Sequence, residues 1–384
     1  MVETKQNCNL SNKELFNMKL NKAFKFRLYP NHIQMTLLVK TFGCCRFVYN
    51  KMLEDKIKHY QETKENLLVT PARYKEEFNF LKDVDCYSLC NEQMHLQAAF
   101  NNFFRSPKAG FPKFKSRRKD KNSFTTSNVN NMIRVNDKHQ IRLPKLGWVN
   151  FVEHRKIPSN CKIKSVTVTK TPSGKYYISV LTEYEYKIPE RILDKSKSLG
   201  LDYSSHDFYV DNQGKSPENL HHYYRDLQDK LAFHQRKLSH MVEGSNNYQK
   251  QKIIIARIHE KIANQRKDFI EKESTKLTQL YDVICLEDIN LQNISQSLKL
   301  GKSTLDNAFG MFRVRLEQKM LVEGKKVIKI DKWFPSSKMC RFCGCINKNL
   351  KLSDRVWVCE CGAILNRDEN AAINILNEGL KQLA

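Results

Sequence analysis

Residues 198–210 read SLGLDYSSHDFYV, with Asp202 at the start of an apolar strand, and residues 281–290 read YDVICLEDIN, with Glu287 at the end of another. An acid at the edge of a buried strand is costly unless it is paired or holds a cation. A third acid, Asp368, stands just before the helical segment NRDENAAINIL. Around these segments the period changes from two to that of a helix. The first strand is expected to continue into a hairpin that turns at residues 211–214. Leu227, Leu231, His234, Leu238 and Met241 then mark one helical seam, residues 244–247 (GSNN) a turn, and Ile255, Ile258, Ile262 and Phe269 the returning face. His234 on that seam reads as a packed histidine. Short strands at residues 283–286 and 326–330 and a closing helix over 370–383 complete the pattern. Strands separated by helices predict an α/β domain.

The segment before the last helix has a different chemistry. Cys340 and Cys343 are followed by Gly344, Cys359 and Cys361 by Gly362, and fifteen residues separate the two pairs. A glycine after the second thiol permits the tight turn that aims two sulfurs at one ion. Four thiolates with no open coordination position define a structural Zn²⁺ site, which stabilises a segment too small to build a core. Cys345 competes with Cys343 for the fourth place, and Gly344 favours Cys343. Of the twelve cysteines, the others (Cys8, Cys44, Cys45, Cys86, Cys90, Cys161 and Cys285) show no ligand-like grouping with histidine, and most are expected to be buried small hydrophobes.

Toward the N-terminus, KAFKFRLY at residues 22–29 alternates in the manner of a half-buried strand and stops at Pro30. Helical spacing follows from residue 34 to about 65, and again from about 72 to 104. Residues 107–123, PKAGFPKFKSRRKDKNS, place Lys113, Lys115, Arg117, Arg118, Lys119 and Lys121 among Phe111, Phe114 and Phe124. Cations interleaved with aromatic rings suit a groove in which bases stack and phosphates pair. Residues 133–186 read as several strands with turns, a small β module. Its expected partner is the isolated strand at 22–29, which makes the helical block an insertion in a β-barrel-like domain.

Composition bounds the function. The 384 residues carry 66 Lys and Arg against 41 Asp and Glu, a net charge of +25, which points to a polyanion. Nucleic acid fits best, and an anionic membrane surface is the alternative. With 21 Phe and 15 Tyr the chain is too apolar to be disordered throughout. No apolar run approaches the roughly 20 residues of a membrane span. Residues 1–20 are polar and lack the apolar centre of a secretory signal. Clustered cysteines fit a reducing compartment, and the expectation is a prokaryotic cytoplasm or nucleoid.

Asp202, Glu287 and Asp368 come from three distant segments of one α/β region. Three hard oxygen ligands are what a two-metal phosphodiester site requires, with two Mg²⁺ ions about 3.5–4 Å apart. Spacing alone does not separate this triple from others among the 41 acids.

The wording around these residues does. The chain resembles the TnpB family of insertion sequences, RNA-guided DNA endonucleases related to the type V CRISPR effectors. The resemblance covers nearly all of the chain from about Lys22. It lies in KAFKFRLYPN, TFGCCRFVYNKML, GFPKFKS, LPKLGWV, TKTPSGKYY, GLDYS, NQRKDF, VICLEDIN, FGMFR, KIDKWFPSSKMC, LKLSDRVWVCECG and NRDENAAINI. It implies that Asp202, Glu287 and Asp368 are the catalytic acids of a RuvC-like, RNase H-like nuclease domain (residues 196–333 and 363–384) that binds Mg²⁺. Cys340, Cys343, Cys359 and Cys361 would form an inserted zinc ribbon (334–362) that binds target nucleic acid. Residues 22–31 and 128–195 would be a β wedge domain that grips the guide RNA. Residues 32–127 would be an α-helical recognition lobe with the basic loop, and 1–21 a polar leader. The implied partners are a guide RNA and double-stranded target DNA bearing a short protein-read motif, with base pairing reading the rest and the protein a monomer within the ribonucleoprotein. Some relatives lack the acids and act as RNA-guided repressors, so a binding protein is the alternative. An autonomous transposase would need a nucleophilic tyrosine with a His-x-His pair for metal, or a serine-recombinase fold, whereas His221 and His222 are adjacent and read as a helix start. Two departures stand out: Asn366 occupies a place where relatives often carry an acid, and the leader is long enough that Met18 offers another start.

Overall fold

A run of alternating residues from Met18 to Tyr29 (β1) places Phe24, Phe26 and Leu28 in the core and their neighbours outside, as the two-residue strand period requires. The computed structural model describes residues 18–383, apart from Asn219, His221, residues 292–295 and 297–300, and Leu352. The leader up to residue 17 with its Cys8, and the reading of His221, fall outside these. The chain divides into two compact units, Lys19–Tyr186 and Lys187–Ala384.

In the first unit β1 belongs to a seven-stranded sheet with order β2-β6-β7-β1-β5-β4-β3. Its other strands are β2 (Asn122–Ser127), β3 (Arg134–Asn136), β4 (Gln140–Leu143), β5 (Gly147–Val152), β6 (Lys162–Lys170) and β7 (Tyr176–Tyr186). β1 therefore does join the β module, but the barrel expected there is absent: the sheet is open, with β2 and β3 at its two ends. The inward residues of β2 are taken by helices instead of by β3. The Phe124 ring packs, tilted, 5.7 Å from that of Phe42 of α1 (His32–Thr63), and Thr126 donates to Asp85 beside α3 (Cys86–Arg105). Strands and helices consequently share one core, running from Phe24 through Leu38, Leu89 and Phe124 to Val180.

Asn31 and Gln34 form a capping box that starts α1, satisfying two orphan N–H groups. The second helical stretch is broken. A 3₁₀ turn at Pro71–Arg73, the short α2 (Tyr74–Glu77) and another 3₁₀ turn at Asn79–Asp83 precede α3. Asp85 accepts from Ser88 N at 3.0 Å and begins α3 as a new helix. Cys86 and Cys90 on α3 are exposed, contrary to the expectation of burial. The i, i+4 spacing gives them one face, and that face is not the one packed on α1 and β2.

The second unit holds a four-stranded sheet, β11-β10-β8-β9. β8 (Ser198–Ser204), β10 (Val283–Glu287) and β11 (Lys326–Ile330) run parallel, and β9 (Phe208–Asp211) is antiparallel to β8. The hairpin turns at residues 205–207 rather than at 211–214. Phe208, at φ 72°, carries the reversal, and Asp211 makes a second, tighter turn with Gly214 and Lys215. The helical pair is α4 (Tyr223–Ser239) and α5 (Asn246–Leu280), which meet through Leu231, Ile258 and Ile262. His234 is packed as expected and contacts Gln251 Nε2 at 3.0 Å.

Alternation along β8 and β10 sorts the two faces of this sheet. Leu199, Leu201, Ile284 and Leu286 meet Phe269 of α5 and, across α6 (Gly301–Asn307), Phe309, Phe312 and Leu316 of α7 (Phe309–Val322). Val283 and Cys285 face the other way, onto Ile375 of α8 (Arg367–Lys381). No helix among the described residues is long and apolar enough to cross a membrane.

Candidate active site

The face that carries Gly200 also carries Asp202, two residues on, and the face that carries Val283 and Cys285 carries Glu287. Leu201 and Leu286 are register partners on adjacent parallel strands, so the two acids follow side by side at the strands' C-terminal ends. That edge is where open α/β sheets place their ligand crevice.

Gly200 brings the third acid in. A Cβ at Gly200 would lie 2.1 Å from the carbonyl oxygen of Ala372, so α8 touches the strand backbone there. Asp368 is one helical turn before Ala372 and shares its face, just as Asp202 shares the face of Gly200. The contact therefore aims Asp368 at Asp202. Asn366 begins α8, its side chain accepting from Asp368 N and Glu369 N at 3.1 Å each. The residue that departs from the acid of relatives is thus the helix cap, a role asparagine fills well.

Electrostatics report the crowding. Burial pushes the Asp202 carboxyl well above its ordinary range, and the charges of Glu287 and Asp368 add to the rise, opposed by Arg367 and Arg355. Burial also raises Glu287, against a hydrogen bond from the Ser336 hydroxyl. Asp368 is held by two guanidiniums: Arg355 Nη1 at 2.6 Å, and Arg367 at 3.0 Å from Nε and 2.9 Å from Nη2. Such a set of mutually repelling carboxylates, two of them raised above their ordinary range, suits divalent cations, whose charge favours ionisation.

The acids do not close around a single point. Among the described residues, only Cys340, Cys343, Cys359 and Cys361 bring three or more donor atoms within 4.8 Å of one another. A pair of ions spaces its ligands more widely than one ion does. Cys345 is outside the quartet. Cys340 Sγ lies 3.7 Å from Cys361 Sγ, and Cys343 Sγ 3.4 Å from Cys359 Sγ. Zn–S bonds of about 2.3 Å in a tetrahedron give sulfur separations of about 3.8 Å, so the donor set fits Zn²⁺. Gly344 and Gly362, at φ 76° and 86°, close the two turns by donating to Cys340 O and Cys359 O at 2.9 Å each. Cys340 is buried, which opposes ionisation, but the N–H groups of Cys343 and Phe342 bring its thiol down to about 7.

The basic loop is pinned rather than free. Asn50 of α1 brackets the backbone of Lys115, accepting from its N–H at 2.7 Å and donating to its carbonyl at 2.9 Å. The Lys115 ammonium turns inward to Glu92 at 2.5 Å, 4.0 Å from the Tyr49 ring centroid. Lys113, Arg117, Arg118, Lys119 and Lys121 are exposed, as are Phe111 and Phe114, while Phe124 is buried. Lys115, Lys119 and Lys121 line a cleft of about 460 Å³ together with Arg46, His95 and Thr125.

Several residues of the nuclease-like face are not legible as a motif. Ser336, Arg355 and Arg367 contact the acids, and Asn370 and Asn374 fasten the approach to the ribbon by donating to Met339 O at 2.7 Å each. The i, i+4 spacing of the two asparagines among the apolar positions Ala371, Ala372 and Ile375 was the available signal.

Three stretches of the chain match known protein families. Residues 18–65 match a helix-turn-helix domain of IS605 OrfB proteins, 179–298 a "Probable transposase" domain of the same proteins, and 309–375 a Cas12f1-like TNB domain. A "Putative RNA-guided DNA endonuclease" of Streptomyces pristinaespiralis is 33% identical over 94% of this chain and 90% of its own. The "Putative RNA-guided DNA endonuclease InsQ" of Escherichia coli K12 is 32% identical over 96% of this chain and 94% of its own. The Cas12f1 chain solved with sgRNA and target DNA superposes with a TM-score of 0.57 at 12% identity, over 94% of this chain and 99% of that one, a likeness of fold. Identity of 32–33% over nearly the full length of these relatives, with two IS605 OrfB domain matches beside it, makes the chain a member of the TnpB/IS605 OrfB family.

Proposed function

We propose that this protein is an RNA-guided DNA endonuclease that hydrolyses phosphodiester bonds at Asp202, Glu287 and Asp368. The observation that carries the reading is the convergence of the three acids at one sheet edge, where Asp202 feels the charge of both others. Two Mg²⁺ ions held by these carboxylates would supply the charge that stabilises the attacking and leaving oxygens. Asp202 and Glu287 present their carboxyls from adjacent strands, which holds their separation. Ser336 orients Glu287 through its hydroxyl. Arg355 and Arg367 hold Asp368 in place, and one turn of α8 fixes its distance from the sheet.

In this reading the unit from Lys187 onward is a RuvC-like, RNase H-like nuclease, residues 196–333 and 363–384, interrupted by a zinc ribbon at 334–362. Residues 22–31 and 128–195, nearly all of them in the first unit, act as the wedge that holds the guide scaffold, and 32–127 as the recognition lobe. Lys113, Arg117, Arg118, Lys119 and Lys121 contact nucleic-acid phosphates, with Lys115 supporting the loop from beneath. The protein acts as a monomer bound to one guide RNA. The net charge of +25 supplies the counterion-release component of that binding.

Asp202→Ala tests the assignment. It should abolish cleavage while RNA-dependent binding of target DNA persists. Equal loss of binding and cleavage, or retained cleavage, would remove Asp202 from the catalytic role.

A further inference from the structure

The loop at residues 331–335 starts and ends on a catalytic acid. Ile330, just before it, is the register partner of Glu287, and its carbonyl accepts from Asp288 N at 3.1 Å. Ser336, just after it, donates its hydroxyl to the Glu287 carboxylate, and Asn374 holds the Ser336 carbonyl at 2.8 Å. Within the loop, Asp331 accepts from Trp333 N at 2.7 Å through its side chain and from Phe334 N at 3.1 Å through its carbonyl. Phe334 turns inward onto the cluster of Val283, Cys285 and Ile330. Trp333 turns outward and is 81% exposed, with Lys332 Nζ 5.1 Å from its ring centroid.

Trp333 is three residues from each anchor, and at about 3.6 Å per residue its Cα lies within about 11 Å of both. An indole held in water on a braced loop lacks the burial that ordinarily stabilises a tryptophan. Beside a phosphodiester site, a flat ring with a lysine at its flank matches what a nucleobase and its phosphate require.

We infer that Trp333 is a positioning residue: it stacks on one base of the single DNA strand that enters the site, and so sets which phosphate reaches Asp202, Glu287 and Asp368. Lys332 pairs with the adjoining phosphate. The inference rests on the nuclease reading for its substrate, but its test does not depend on cleavage. The register of the cut follows from the fixed distance between the ring and Glu287.

The test uses the zinc-loaded protein with its copurifying RNA, in the Asp202→Asn background, and single-stranded DNA carrying 2-aminopurine at successive positions. One position should be quenched on binding. Trp333→Ala should abolish that quenching and weaken strand binding roughly 5- to 100-fold. Trp333→Tyr should restore both and Trp333→Leu neither, with the melting temperature unchanged because the side chain is exposed. In the cleaving protein, an abasic residue at the quenched position should reproduce the Trp333→Ala defect and add nothing to it. Quenching that survives in Trp333→Ala, or is absent at every position, overturns the inference. Position-specific quenching by a protein that never cleaves would leave the platform standing and sink the nuclease reading alone.

Discussion

Replacing Gly200 by alanine isolates the contact that assembles the acids. The added Cβ would sit 2.1 Å from Ala372 O and 2.8 Å from Leu376 Cβ. A carbon rests against a carbonyl oxygen at about 3.3 Å or more, so α8 must withdraw by about 1 Å. The obstacle is backbone, and no rotamer change relieves it. Overpacking of this kind costs about 1–3 kcal/mol, which in a unit of this size lowers the melting temperature by roughly 2–12 °C. The same withdrawal carries Asp368 away from Asp202, and a misplacement of about 1 Å at a reacting centre lowers the rate by about 10²-fold. Target cleavage by the reconstituted ribonucleoprotein under single-turnover conditions reads the second effect, and a thermal melt of the same preparation the first. Guide-dependent DNA binding should be unchanged, since the substitution lies beneath the acids. A Gly200→Ala protein that melts normally and cleaves within twofold of the parent would refute the claim that this contact positions Asp368.

Other perturbations follow from the same geometry. Cys340→Ser should release Zn²⁺ and unfold the ribbon, read by metal content and by proteolysis between residues 334 and 362; unaltered zinc content would contradict the site. Asn366→Ala should destabilise the start of α8 by about 1 kcal/mol and slow cleavage, while Asn366→Asp, also a good cap, should restore stability; equal stability in both variants would remove the capping role. Lys115→Ala should destabilise the first unit by about 2 kcal/mol in denaturant titration, less than the 3–5 kcal/mol of a wholly buried pair because Lys115 is 30% exposed. Burial would raise the Glu92 carboxyl, but the His95 hydrogen bond and the charge and hydrogen bond of Lys115 outweigh it and hold it below its ordinary 4.5. Its stabilisation is therefore complete above about pH 4.5 and is lost as the pH falls through the lowered value. Glu92→Gln should remove that pH dependence, and an unchanged acid limb would show that Glu92 does not contribute it.

Local patterns were legible because local chemistry determines them. The cysteine pairs with their glycines specify a metal knuckle within a few residues, and the quartet expected from spacing is the one that converges. Alternation at residues 22–29 and short apolar runs around 199–201 and 283–286 identify strands and leave an acid at the edge of two of them, since a strand's pattern depends only on its own residues. The resemblance to the TnpB family rests on the same short motifs.

Only the tertiary structure decided what those patterns meet. Helices α1 and α3 cover β2, so the sheet stays open where a barrel was expected, and no strand period encodes which neighbour an edge will find. Lys115 reads like its cationic neighbours but is committed to Glu92, twenty-three residues away. Ser336 and Arg355 become partners of the acids, and Gly200 becomes the seat of α8, through contacts between segments separate in sequence. Backbone period and turn chemistry are fixed by neighbouring residues, whereas these pairings depend on how a helix settles on a sheet, which many sequences satisfy and none announces.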